Sequence, residues 1–295
     1  MVDNYHYRNG GLFMFYEITQ VHLSQYITGL YEEEKSPHTI EKYLRDVKSF
    51  CSFTGGLFPG KETVLSWKKH LSGNYRPRSA NSMLASLNHF FSWMGWEELR
   101  VRAFRIQEEI YEKEERELTR KEYERLLRET RRRKKRRMEM ILQTLGSTGI
   151  RISELPFITV QAAKKGRAEV RCKGKQRQVY LPAALCRALR RYGKERRIAS
   201  GPLFVTKSGK PLDRSNIWRK MKKLCRHSGV NPKKVFPHNL RHLFARVFYQ
   251  MEKDIVKLAD ILGHSSINTT RIYTKESGRE HRRMIEQMSL IVYTT

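Results

Sequence analysis

The sequence predicts a mainly helical α+β protein, in which an N-terminal helical bundle is followed by a mixed C-terminal domain with a small antiparallel sheet. Apolar residues recur at three- and four-residue spacing through the first hundred positions, as in amphipathic helices. Short segments that favour strands lie between positions 157 and 181. Basic residues are concentrated after position 100, which indicates two domains with different surfaces.

Four helices are predicted after an N-terminal extension of about fifteen residues. They span about Glu17 to Glu34, Pro37 to Thr54, Lys61 to Ser72, and Pro77 to Met94. Ser36 before Pro37 favours a helix start, and Gly55-Gly56 favours a helix end. These elements predict an all-helical bundle.

A charged linker separates the bundle from the second domain. Residues 108–117 are mostly charged, and the pair Thr119 and Glu122 that follows is typical of a capping box at a helix start. The predicted organisation is an extension at 1–15, a helical domain at 16–105, a linker at 106–117 and a second domain at 118–295.

The second domain is predicted to contain a small antiparallel sheet and several helices. Strands are predicted at Phe157 to Val160, Ala168 to Cys172, and Gln178 to Leu181, with Lys173 in the last turn. A helix capped by Asp213 is predicted to bury three residues: Ile217, Met221 and Leu224.

The charge balance indicates a polyanionic partner. The chain has 59 basic and 30 acidic side chains, a net charge of +29. Residues 1–100 carry 11 basic and 10 acidic side chains, which leaves 48 and 20 in residues 101–295. These charges are scattered rather than set opposite an apolar helix face, so a membrane surface is not favoured. The second domain is therefore the main candidate for contact with nucleic-acid phosphates.

Other features narrow the setting. No stretch approaches 18 consecutive apolar residues, and we expect a cytoplasmic protein without a membrane partner. The four cysteines lack metal-ligand spacing and are interpreted as reduced packing residues. The seven basic residues at 131–137 fit either a solvated helix-helix loop or a phosphate contact.

Four motifs in the second domain carry candidate site residues, in the order TGIRISEL, RCKGKQRQVYLP, HNLRH and LGH, with a tyrosine nine residues after the last histidine. The residues of interest are Arg151, Glu154, Lys173, Lys175, His238, Arg241, His264 and Tyr273. Each residue alone is weak evidence for a functional site, since charged pairs on helix surfaces and half-buried tyrosines are common in proteins. Their joint order over about 120 residues is informative.

Residues of these types could cleave a phosphodiester without a metal ion. Arg151 and Arg241 could neutralise the non-bridging oxygens, because guanidinium groups bind phosphate in a bidentate manner. Tyr273 could attack the phosphorus if His238 took its proton, with His264 donating to the same phosphate. Lys173 could protonate the leaving oxygen. Lys175 is the alternative, two residues away on the same strand face.

This set of motifs resembles the tyrosine recombinases, or phage-integrase family, and most closely its compact Xer-type members. The resemblance implies the catalytic set Arg151, Lys173, His238, Arg241, His264 and Tyr273, with Glu154 in support. It implies a 3′-phosphotyrosyl intermediate with a free 5′-hydroxyl, formed without metal, ATP or another cofactor. The first domain would be a SAM-like core-binding bundle.

The resemblance also implies partners. These are double-stranded DNA with an inverted-repeat recombination site, and three further copies of the chain in a synaptic tetramer, while the free state stays open. Candidate DNA-binding residues are Lys42, Arg45, Lys68, Lys69, Arg76, Arg78, Lys175 and Arg177. The first six are expected to share one face of the bundle. An apolar stripe in the tail, comprising Met284, Ile285, Met288 and Ile291, could dock on a neighbouring copy or on its own domain. Location at the bacterial nucleoid is expected when DNA is bound.

Two other functions fit part of the pattern. A type IB topoisomerase uses similar residues, but the close match to TGIRISEL and LGH favours a recombinase. A non-catalytic DNA-binding regulator on the same scaffold is disfavoured by the intact Tyr273 and both arginines. Neither the target sequence nor the choice among chromosome resolution, phage integration and transposition follows from these residues.

Overall fold

The computed structural model describes residues 5–8, 11–14, 16–55, 57–58, 60–106, 117–172, 175–206, 208–264, 266–273 and 286–288. The chain divides into two compact units, Met1–Glu108 and Glu109–Thr295. Helices predominate in both, which confirms the predicted mainly helical fold.

In its described residues, the first unit contains four α-helices: α1 (Gln20–Glu32), α2 (Pro37–Thr54), α3 (Lys61–Asn74) and α4 (Pro77–Trp93). The predicted helices are therefore confirmed to within a few residues at their ends. Ser36 caps α2 by accepting from the Thr39 backbone N–H, and Gly55 ends it in the left-handed conformation. α2 packs on α4 over an aromatic core that includes Phe50, Phe90 and Phe91.

The predicted helical bundle is confirmed, but it is not all-helical, and short strands occur both in it and in the residues before it. Strands β1 (Tyr5–Arg8) and β2 (Gly11–Met14) form a hairpin, and β3 (Tyr16–Glu17) pairs with β4 (Leu57–Phe58). The sequence between these strands, an Asn-Gly pair at positions 9 and 10, is of a type that favours antiparallel pairing of its flanking segments. The rings of Tyr16 and Phe58 stack at 5.5 Å, which anchors the second pair in the core.

The second unit is built around a buried helix. The α-helices in the part of this unit that the structure describes are α5 (Arg120–Arg132), α6 (Arg136–Thr148), α7 (Val160–Lys165), α8 (Ala183–Glu195), α9 (Arg214–Ser228), α10 (Pro237–Glu252), α11 (Ile255–Leu262) and α12 (Ile267–Arg271). α6 packs against α5, α8, α9 and α10. The predicted capping box of Thr119 and Glu122 opens α5, and Asp213 caps α9 as predicted.

The sheet of this unit has two strands in the described residues, β5 (Arg167–Cys172) and β6 (Lys175–Tyr180). The antiparallel pair was predicted, but the strand predicted at Phe157 to Val160 is wrong. A 3-10 helix (Ile152–Phe157) ends there, and the Thr159 side chain caps α7 by accepting from the Ala162 N–H. Thr159 keeps only an isolated bridge to Pro202. A threonine directly before a short helix can accept a hydrogen bond from one of the free amide groups in the first turn of that helix. Thr159 therefore caps α7 instead of pairing in a strand.

The basic run 131–137 lies across the turn between α5 and α6, which confirms the helix-helix loop. Two buried carboxylates bind its arginines. Glu129 accepts from Arg132 and Arg133, and Glu139 accepts from Arg131 and Arg136. Four of the seven basic side chains are thus used within the fold.

No helix in the described part of the chain is long and apolar enough to span a membrane. Cys51, Cys186 and Cys225 are free thiols.

Candidate active site

Arg151 and Glu154 lie just beyond the carboxyl end of α6. Gly149 ends α6 with a φ of +62°, and Arg151 begins the 3-10 turn. The Glu154 carboxylate, 1% exposed, accepts from the Arg151 backbone N–H at 2.8 Å and from Arg151 Nη1 at 3.2 Å. Arg151 is therefore held by a carboxylate that is almost fully buried.

Arg177 on β6 also binds Glu154. Its Nη2 donates to Glu154 Oε2 at 2.8 Å, and its Nη1 donates to the Ile261 carbonyl at 2.8 Å. The Arg177 side chain lies directly against Gly263, where an added Cβ would be 2.4 Å from Arg177 Cδ. These contacts give Arg177, predicted to bind DNA, an internal role in linking the TGIRISEL and LGH motifs.

Two lysine candidates fall at the β5-β6 connection. Lys173 lies outside the described residues, and the Lys175 side chain is also outside them. Both assignments therefore stay predictions.

Arg241 on α10 is 1% exposed and lies at the centre of the site. Its Nη1 donates to the Gly149 carbonyl at 2.6 Å, and its Nη2 donates to the Leu262 carbonyl at 2.7 Å. Burial and the charge of Arg151 lower the pKa of Arg241 to about 10, so it stays protonated at neutral pH. Among the described residues, Arg241 Nε has no hydrogen-bond partner.

His264 is oriented by two hydrogen bonds. Arg241 Nη2 lies 2.9 Å from His264 Nε2, and His264 Nδ1 lies 2.8 Å from the Thr270 hydroxyl. Because arginine can only donate, His264 Nε2 accepts, and Nδ1 carries the proton. Burial and the nearby Arg241 and Arg151 lower the pKa of His264 to about 4, so the imidazole is neutral at neutral pH. His264 was expected to donate a hydrogen bond to the phosphate. It can do so from Nε2 only after its hydrogen bonds rearrange or after the imidazole gains a proton.

Tyr273 follows α12 and is 2% exposed. Its ring stacks on His264 at 5.7 Å and meets His242 edge to face at 4.6 Å. Its phenol oxygen lies close enough to Arg241 to offset part of the lowering of that arginine's pKa. The structure thus brings Tyr273, His264 and Arg241 together.

His238 joins this group through His242. The His238 and His242 rings lie 4.8 Å apart, one turn apart on α10. Burial, Arg241 and Arg151 lower the pKa of His238. Sequence reasoning gave His242 no role, although its place in HNLRH puts it on the same helix face as His238.

The basic candidates of the first unit differ in their surroundings. Lys42 is committed to internal bonds, since its Nζ donates to Asp46 at 2.7 Å and to the Ser86 hydroxyl at 2.7 Å. Lys68 lies over the Phe104 ring at 5.0 Å. The remaining four are exposed: Arg45, Lys69, Arg76 and Arg78. That all six share one face stays a prediction.

No group of three histidine, cysteine, aspartate or glutamate side chains that could hold a metal ion occurs among the residues that the structure describes.

Comparison with known proteins gives consistent matches in sequence and structure. Residues 116–280 match the phage integrase family, and residues 23–98 match the phage integrase N-terminal SAM-like domain. Tyrosine recombinase XerA of Thermococcus kodakarensis is 31% identical over 279 residues, which are 91% of this chain and 95% of that protein.

Two solved structures extend the comparison. A crystal structure of XerA recombinase aligns at a TM-score of 0.52 with 26% identity, covering 93% of this chain and 100% of that one. A lambda integrase dimer bound to a COC′ core site aligns at 0.71 with 16% identity, covering 90% and 79%, a likeness of fold alone. The resemblance drawn from the motifs and the SAM-like domain it implied are both confirmed.

Proposed function

This chain belongs to the phage integrase family and is a tyrosine recombinase, an enzyme that breaks and rejoins DNA at specific sites, and we propose that Tyr273 is its nucleophile. The observation that carries the proposal is the stacking of the Tyr273 ring on His264, whose Nε2 accepts from the buried Arg241 guanidinium at 2.9 Å. The topoisomerase and regulator alternatives are not favoured, because the matched relatives are recombinases and integrases.

Arg151 and Arg241 are proposed to bind the non-bridging oxygens of the scissile phosphate. The position of Arg241 supports this role, since its guanidinium lies 2.9 Å from His264, on which the Tyr273 ring stacks, and a phosphate attacked by that phenol would be within its reach. Arg151 is held by Glu154 and keeps 36% of its side chain exposed, so it remains accessible to DNA.

Proton transfer is assigned to His238 and Lys173. The lowered pKa of His238 makes its imidazole neutral near pH 7, as a proton acceptor for the tyrosine must be. The Tyr273 oxygen forms a bond to phosphorus as the bond to the 5′ oxygen breaks, and Lys173 supplies the proton to that oxygen. The product is a 3′-phosphotyrosyl link, which attack by another 5′-hydroxyl reverses. Neither metal nor ATP takes part in this scheme.

Covalent capture tests this function. With a nicked suicide duplex in EDTA and without nucleotide, we expect the protein to become attached to a DNA 3′ end, leaving a 5′-hydroxyl. Mass spectrometry of the digested adduct should place the DNA on Tyr273. Attachment to Tyr249, the tyrosine on α10, would contradict the assignment. Cleavage that requires magnesium would also contradict it.

The role of Lys173 is tested by changing the leaving group. Lys173→Ala should cleave ordinary DNA slowly, because loss of a general acid costs about 100- to 10,000-fold. Replacing the scissile 5′ oxygen by sulfur should restore its rate, since a thiolate leaves without protonation. Lys175→Ala is the matched control. Rescue of Lys175→Ala but not of Lys173→Ala would reverse the assignment.

We further propose that the enzyme acts on paired inverted repeats as a tetramer, in the cytoplasm and at the nucleoid. A lambda integrase of the same fold has been solved as a tetramer on a Holliday junction, and XerH on its difH substrate, which supports assembly of this kind. Of the proposed docking stripe in the tail, Met288 is 59% exposed, and the other three residues lie outside the described part of the chain.

A further inference from the structure

His242 lies between the proposed nucleophile and the proposed proton acceptor, yet it has no part in the reaction scheme above. Its ring is 4.6 Å from the Tyr273 ring at an interplanar angle of 79°, and 4.8 Å from the His238 ring at 76°. Both contacts are edge to face, the arrangement that aromatic pairs favour.

The position of Tyr273 depends on packing rather than on its own helix. α12 has five residues, and a helix of that length is not stable alone. The Tyr273 backbone N–H donates to the Thr270 carbonyl at 2.9 Å, which fixes the backbone, but the ring direction is set by its neighbours. These neighbours include the two imidazoles of His242 and His264, beside the buried apolar side chains of Ala245, Leu258 and Leu262.

The two imidazoles hold different surfaces of the phenol. His264 stacks against the ring at an interplanar angle of 17°, whereas His242 meets it nearly at right angles. His242 stands next to Arg241 in α10, a helix of 16 residues. The same rigid turn therefore carries the arginine proposed to bind phosphate and a ring that contacts the nucleophile.

His242 has the character of an uncharged aromatic group. Burial and the neighbouring His238 and Arg241 lower the pKa of His242 to about 4. At neutral pH its contribution to Tyr273 is consequently the shape and edge of its ring.

We propose that His242 is a positioning residue, whose ring holds the Tyr273 phenol with its oxygen beside Arg241. The inference rests on the proposed role of Tyr273 as nucleophile. A ring in this place restricts the phenol to directions from which in-line attack is possible, and misplacement of a reacting group by 1 Å costs about 100-fold in rate.

The test compares two substitutions in single-turnover cleavage of the nicked duplex at saturating protein. His242→Ala removes the ring and is expected to lower the cleavage rate by about 10- to 100-fold with DNA affinity unchanged. His242→Phe keeps an aromatic edge without nitrogen, and it is expected to retain most of the wild-type rate. If His242 contributed to folding alone, His242→Ala would not lower the cleavage rate while leaving DNA affinity unchanged.

Leu189→Ala controls for lost stability, because Leu189 on α8 is fully buried in the main core of the unit, which is separate from the cluster around Tyr273. If this control loses as much rate as His242→Ala at equal loss of unfolding free energy, the proposal is wrong. It is equally wrong if His242→Phe is as slow as His242→Ala, or if His242→Ala cleaves at the wild-type rate. Attachment of wild-type protein through a residue other than Tyr273 would instead overturn the proposed function.

Discussion

Replacing Arg241 by lysine is expected to lower the rate of DNA cleavage by about 100- to 1,000-fold, the usual cost of removing one donor that stabilises a transition state. Lysine keeps the positive charge but lacks the planar fork of donors. It cannot reach the Gly149 carbonyl, the Leu262 carbonyl and a phosphate oxygen together. Single-turnover cleavage at saturating DNA measures this loss separately from binding.

The same substitution is expected to reduce stability. The Gly149 and Leu262 carbonyls would lose a charged donor in a buried site, at about 1 to 3 kcal/mol for each group left unsatisfied. Urea unfolding should show the shift.

Arg246→Lys is the matched control, because Arg246 lies on the same helix and binds Glu117 and the Leu118 carbonyl instead. Wild-type cleavage by Arg241→Lys, or an equal loss in Arg246→Lys, would contradict the phosphate-binding role.

Gly149→Ala is expected to destabilise the second unit by about 2 to 5 kcal/mol. Its φ of +62° costs an L-residue about 1 to 2 kcal/mol. An added Cβ would also lie 2.4 Å from the Phe244 ring, and such overpacking costs about 1 to 3 kcal/mol. Displacing Phe244 and the Gly149 carbonyl would disturb Arg241 as well, so cleavage should fall with stability.

Gly229→Ala separates the two contributions. Gly229 ends α9 with the same φ of +62°, but the nearest atom to an added Cβ is Arg125 Nη1 at 3.8 Å. The control should therefore show only the backbone cost. Equal losses of unfolding free energy in the two variants would mean that the approach of Phe244 is unimportant.

The helices of the first unit could be predicted because their signals are local. Ser36 and Pro37 begin α2, and Gly55 ends it, through contacts within a few residues. The strand predicted at Phe157 to Val160 was wrong because another local signal, a helix cap, competed with the strand pattern. Its apolar residues fit a strand, but the hydroxyl of Thr159 offered a helix cap three residues away.

The site was predictable as a set of residues but not as a network. Arg241 donates to the Gly149 carbonyl, 92 residues away in the sequence, and Arg177 donates to the Ile261 carbonyl, 84 residues away. No periodic pattern records such pairs, so Arg177 could be counted only as one more basic residue. The basic run 131–137 is similar, since its charges gave no indication that Glu129 and Glu139 would be buried beneath them.

The contact between Gly263 and Arg177 restricts the order in which these positions can change during evolution. An alanine at 263 would place its Cβ 2.4 Å from Arg177 Cδ, and this side chain cannot simply move aside, because its guanidinium is bonded to Ile261 and Glu154. Shortening Arg177 first would make room at 263, but it would also leave Glu154 with one fewer arginine. Either single change would therefore give a less stable protein before the second change could follow. Positions 177 and 263 are consequently expected to change together in evolution.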